Sequence, residues 1–347
     1  MKKRELADRI LAMLSDEEWD GLESGCVRVP VNPYNREVLL RLRETADELT
    51  GETDAERADE IEEKVQSLLD GMWPEEPDAH KYVVAACLVL TLLEEKPMHP
   101  PASVKYHTEV REGKAYYYCP ARVSDGPVCA LCLARPWDEL ETRRRDMLRK
   151  TEETCGSLSA AVQKEILEAG FGESGVIPVR ELRFHVEVRK CCEDNRCGAY
   201  GTSWACPPAV GTLAECRERT VRCAYLQLFS RAYLLEDSMD FDGMKRAMAD
   251  FKRTVSDLGK RMREILPDTR ILSNESCGRC ASCTYPDAPC RFPEEMYHSL
   301  EGYGFNVSEL AGQAGIRYMN GPSTVTFLGA VLYGKPGNTG EDSEGQT

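Results

Sequence analysis

Sixteen cysteines stand in this 347-residue chain, and ten of them fall between Cys191 and Cys290. Disulfide frameworks belong to small secreted domains, and this chain is large and opens on MKKRELADRILAML. Glu5, Asp8 and Arg9 interrupt the apolar core that a signal peptide needs, so we expect an unprocessed cytoplasmic protein with reduced thiols. Thiols so clustered point to metal binding. Only five histidines are present, His80, His99, His107, His185 and His298, and no two are spaced as a ligand pair. A metal site here is therefore thiolate-rich, which favours iron–sulfur or zinc.

Charge narrows the partners. The chain has 44 basic and 59 acidic residues, net −15, which is the wrong sign for nucleic acid or an anionic membrane. No run approaches the roughly 20 apolar residues of a membrane span.

Periodicity divides the chain. Leu6, Ile10 and Leu14 recur at helical spacing, as do Val38, Leu42 and Leu49, then Ile61, Val65 and Leu69, with Gly71 as a stop. Residues 82–93 read as a buried core helix, with Cys87 inside it as a small hydrophobe. Residues 136–150 and 158–169 read as two helices broken near Cys155 and Gly156. The three glycines and Pro178 of 170–178 mark a domain boundary. Beyond it, 182–188, 222–229, 269–273 and 323–333 read as strands and 241–265 as an amphipathic helix. The expectation is a mostly α-helical acidic domain over 1–169. A Cys-rich metal-binding domain of α+β or α/β class follows over 175–335, and 336–347 is a disordered tail.

Three cysteine sets carry the chemistry. In CGRCASCTYPDAPCRFP, Cys277, Cys280 and Cys283 stand at successive C-x2-C steps and Cys290 follows six residues later. Two such steps in a row resemble a loop wrapping a [4Fe–4S] cube, whereas zinc usually takes two separated pairs. In CCEDNRCGAYGTSWACPPAVG, Cys192, Cys197 and Cys206 form C-x4-C-x8-C, with glycines for tight turns and Pro207-Pro208 stiffening the exit. Cys216, on the next helix, is the leading fourth thiolate, with Cys191 and Cys223 as rivals. Tyr200 and Trp204 pack over the loop, His185 is an ordinary strand histidine, and Arg291 offsets thiolate charge. In the first half, Cys119, Cys129 and Cys132 form C-x9-C-x2-C, a metal set if His107, Cys26 or Cys155 completes it; a reduced structural group is the alternative.

The run C-x4-C-G-x-Y-G-x-x-W-x-C-P-P, then Cys216, then C-x2-C-x2-C-x6-C-R-x-P and SLEGYGFNV, resembles an uncharacterised prokaryotic family described as predicted metal-binding proteins. The resemblance covers about 175–335 and implies metal binding by these cysteines without naming a reaction. PYNREVLLRL (33–42) and AYYYCPARVSDGPVCALCLARP (115–136) resemble an uncharacterised protein family of methanogenic archaea, and no activity follows from that.

No acid–base or nucleophile constellation stands beside the cysteine sets. The sequence thus predicts an iron–sulfur protein with one or two [4Fe–4S] clusters, an electron-transfer or accessory redox factor with a redox protein partner. The alternative is a zinc-stabilised interaction module, or a carrier that hands on a metal or cluster.

Overall fold

A computed structural model describes residues 1–122 and 129–336, so the expected tail lies outside the described residues from 337 onward. The chain divides into two compact units: Met1–Thr108 with Tyr116–Glu141, and Glu109–Ala115 with Thr142–Thr347.

The first unit is helical, as its periodicity requires. It holds α1 (Lys3–Leu11), α2 (Asp16–Ser24), α3 (Pro33–Thr45), α4 (Ala55–Met72) and α5 (Pro77–Leu88). Side chains at helix starts accept the free N–H groups of the first turn: Ser15 for α2, Asn32 for α3 and Asp54 for α4. Leu6, Ile10, Leu39, Ile61 and Leu88 are fully buried in one core with the π-helical turn Val89–Leu93 that prolongs α5. The 82–93 run is thus the core helix its apolarity demanded. After it come β1 (His107–Arg111), β2 (Lys114–Cys119) and β3 (Arg135–Pro136), β2 pairing parallel to β3.

A long helical stretch, α6 (Trp137–Glu168), follows, and Gly156 with φ 82° breaks it where the sequence placed the break. The second unit is then built on β4 (Glu173–Pro178), α7 (Val186–Glu193), α8 (Leu213–Val221), β5 (Tyr225–Leu234), α9 (Phe241–Ile265), β6 (Arg270–Ser273), β7 (His298–Ser299), α10 (Val307–Gln313) and β8 (Thr324–Tyr333). Five strands make one mixed sheet in the order β4-β5-β8-β6-β7. All neighbours are antiparallel except β6 and β7, and Leu228 on β5 faces Ala330 on β8.

The period-2 alternation sorts side chains between two cores. Leu226, Leu228, Leu328, Ala330 and Leu332 pack with Val210, Tyr303, Phe305 and Leu310 on one side. Phe229, Phe327, Val331 and Tyr333 pack with Phe251, Val255, Leu258 and Met262 of α9 on the other. Each of these large side chains contributes roughly 1.5–3 kcal/mol by burial. Val162 and Ile166 of α6 belong to that second core, so the 158–169 helix packs with the C-terminal unit rather than with the helical half.

Two segments differ from their sequence reading. Residues 182–188 are not a strand: Leu182 and His185 are extended, and α7 begins at Val186. The glycine-rich 170–178 segment contains an edge strand, β4. Among the described residues no helix is long and apolar enough to cross a membrane.

Candidate metal centre

Two long loops of the second unit carry or flank eight of its eleven cysteines. The first runs from the end of α7 to α8, and the second from β6 to β7. The sheet holds the second loop at both ends, because β6 and β7 are neighbours through Leu272 and His298. The first is held at its exit by the Ser299 N–H, which donates to the Ala205 carbonyl at 2.9 Å.

The loops are fastened to each other. Trp204 Nε1 donates to the Ala288 carbonyl at 3.1 Å, and its ring meets Tyr285 edge-on at 4.9 Å. Trp204 therefore packs loop on loop, as its aromatic bulk suggested. Within the second loop the Arg291 guanidinium donates to the Ser282 carbonyl at 2.9 Å.

All sixteen cysteines are free thiols. Cys191, Cys192, Cys197 and Cys206 line one cavity of about 330 Å³ together with Glu275 and Glu301. Burial pushes the Cys192 thiol up to about 11, with Glu301, Cys197 and Cys191 adding to the shift. Burial likewise takes Cys206 to about 11 against a hydrogen bond from Ser299. Burial also raises the Glu301 carboxyl, while Lys252 pulls the other way. The Lys252 ammonium is lowered by burial and supported by Glu301, Glu275, Cys277 and Cys206. It is thus close to both loops at once.

In the second loop Cys277 feels Cys280 and Cys290. Its thiol is raised by burial, while the Arg279 N–H and Lys252 favour the thiolate. Cys283 goes the other way. Burial opposes its ionisation, but the N–H groups of Tyr285, Trp204 and Thr284 and the Ser203 hydroxyl outweigh it and hold the thiol below its ordinary value. Two of those donors, Trp204 and Ser203, come from the first loop.

Cys216 lies elsewhere. It is fully buried on α8 in the sheet's core. Its Sγ accepts from Arg219 at 3.1 Å and approaches the Val210 and Gly302 carbonyls. Burial raises it, and arginines, not cysteines, are its charged neighbours. Cys223 sits against Arg270 and Asp268, again away from the loops. Cys191 is the candidate fourth thiolate that shares the cavity. His185 also has a local role, with Nε2 2.7 Å from Glu309.

In the first unit Cys119 is raised by burial and by Cys132 and Cys129, with the Ala121 N–H favouring the thiolate. Cys87 packs in the helical core as the small hydrophobe expected, and burial and then Cys132 push its thiol up to about 12. Of the C-x9-C-x2-C set, Cys132 packs against that same core. Three residues were candidates to complete the set. His107 packs between Tyr118 and Trp137, and Cys26 is exposed just past α2. Cys155 belongs to the second unit.

Among the described residues no group of three or more His, Cys, Asp and Glu side chains is arranged to hold a metal ion. The donor chemistry fits a thiolate-bound centre nevertheless. Four thiols line one cavity, and a second loop of four carries N–H donors aimed at sulfur, which is how proteins stabilise cluster thiolates. No curated protein and no solved structure matches the chain. Residues 175–333, which contain both loops and all of the five-stranded sheet except the first two residues of β4, match the model of a family described as "Predicted metal-binding protein (DUF2284)".

Proposed function

We propose that the second unit is an iron–sulfur electron-transfer module with two neighbouring [4Fe–4S] centres. One would be held by Cys191, Cys192, Cys197 and Cys206, and the other by Cys277, Cys280, Cys283 and Cys290. When bound, such a centre takes up and gives up single electrons. The observation that carries the reading is Cys283. N–H groups of Tyr285, Trp204 and Thr284 and the Ser203 hydroxyl, drawn from two loops, hold its thiol below the ordinary value in spite of burial, which suits a metal-ligand thiolate.

The chain's own residues supply the surroundings. Trp204 clamps the two loops together. Lys252 sets a positive charge near both thiolate sets, and Arg291 stiffens the second loop from within. Charge and hydrogen bonds at sulfur raise a cluster's potential. The net charge of −15 favours a basic redox protein as partner through steering.

The test is Cys280→Ser in protein purified without oxygen. Serine is a poor thiolate substitute for iron, so about half the iron and half the visible absorption should be lost. Unchanged iron and an unchanged spectrum would remove the second loop from the account.

A further inference from the structure

A cavity of about 500 Å³ opens between α9 and the start of the second loop, a volume within the roughly 300–1,000 Å³ of small-molecule sites. Lys252, Arg253, Ser256 and Lys260 of α9 line it, with Cys277 and Arg279 from the loop. Its wall thus carries four cations. The two carboxylates that also line it, Asp257 and Glu295, are already engaged. Lys260 lies 3.6 Å from Asp257 and 3.9 Å from Glu295, and Arg279 lies 2.7 Å from Glu295. Arg253 pairs with Asp250, outside the cavity.

Two groups are left over. Lys252 Nζ donates to the Ser273 hydroxyl at 2.9 Å and to the Asn274 carbonyl. Glu301 and Glu275 lie near enough to support its charge, but among the described residues no carboxylate is within ion-pair distance of it, and an ammonium has a third proton to give. Ser256 is 8% exposed, and its Oγ has no hydrogen-bond partner. A helical serine ordinarily bonds back to the carbonyl one turn earlier, and a buried hydroxyl that bonds nothing is unfavourable. A hydroxyl and an ammonium one turn apart on α9, both at one cavity wall, suit a ligand that accepts hydrogen bonds and carries negative charge.

We infer that this cavity binds a small-molecule oxyanion, a carboxylate or a phosphate, which accepts from Ser256 Oγ and is neutralised by Lys252. The ligand would lie against Cys277, beside the centre proposed for the second loop. The inference does not rest on which metal that loop holds.

The test is titration calorimetry on the full-length protein as purified, with inorganic phosphate and malonate as separate probes and iron measured in every sample. One probe should bind saturably at one site per chain, and which one does so distinguishes phosphate from carboxylate. Ser256→Ala should weaken that binding about tenfold without loss of stability, since it deletes a hydroxyl that the fold itself leaves unbonded. Lys252→Gln should weaken it by more than about tenfold. Lys245→Gln, on the same helix outside the cavity, should leave it unchanged. Absence of saturable binding by both probes, or equal affinity in Ser256→Ala and Lys252→Gln, would overturn the inference.

Discussion

Replacing Cys216 by alanine separates a buried thiol from a metal ligand. Spacing alone made Cys216 the eighth thiolate, but the fold puts it in the sheet's core with Arg219 as its neighbour at 3.1 Å. The substitution removes one fully buried sulfur, worth about 1 kcal/mol in packing by analogy with a methylene. It also removes one acceptor of Arg219, whose guanidinium keeps the Val210 carbonyl and the Tyr303 hydroxyl, so about another 1 kcal/mol is lost. A total near 2 kcal/mol lowers the Tm of a unit this size by about 4–8 °C. Iron content should not change. The assay is thermal unfolding by circular dichroism alongside iron analysis of anaerobically purified protein, with Cys191→Ala run in parallel. Cys191 is exposed, so its variant should keep its Tm once metal loading is equalised, yet bind less iron. Iron lost from Cys216→Ala and retained in Cys191→Ala would refute the assignment of the fourth thiolate.

Further outcomes follow from the packing and the buried titratable groups. Gly259→Ala puts a Cβ 2.0 Å from Tyr297 Oη, so it should destabilise the second unit by about 1–3 kcal/mol in denaturant unfolding. Burial, with Arg219 and Arg270, lowers His298 to about 4 in the folded state, below its unfolded value of 6.5. The unfolded chain then binds the extra proton. Stability should be unaffected by this residue above pH 6.5 and fall by up to about 3 kcal/mol towards pH 4, a loss that His298→Gln reduces. Because Cys192 and Cys206 are held near 11, loading their set at neutral pH must release both protons. The apparent metal affinity of the first loop should therefore rise by at least about two decades per pH unit between pH 6 and 8, read by chelator competition.

What the sequence disclosed depended on the range over which each signal acts. The 25-residue stripe of α9 and the alternation of β5, β6 and β8 are local patterns, and each element was legible to within a few residues. The LRFHVEV run misled because Leu182 and Phe184 do turn inward, Phe184 meeting Phe305 at 5.0 Å, just before the chain coils into α7. In β4 the glycine signalled a close approach and not a turn. A Cβ on Gly175 would lie 2.0 Å from the Ala314 carbonyl oxygen, and Ala314 is distant in sequence. The cysteine sets were legible as spacings, and the cavity holding Cys191, Cys192, Cys197 and Cys206 brings three of the expected residues together. Which further thiol joins them was not legible. Cys216 follows the loop on a helix that faces the core, and Cys87 and Cys132 share the helical core only through the tertiary fold.

Metal analysis of the anaerobically reconstituted full-length protein tests the central claim most directly. Two cubes on the paired loops predict about eight irons and eight acid-labile sulfides per chain, less than one zinc, and two interacting resonance signals on reduction. Saturation near four irons with a single signal, or a colourless protein holding zinc alone, would contradict it.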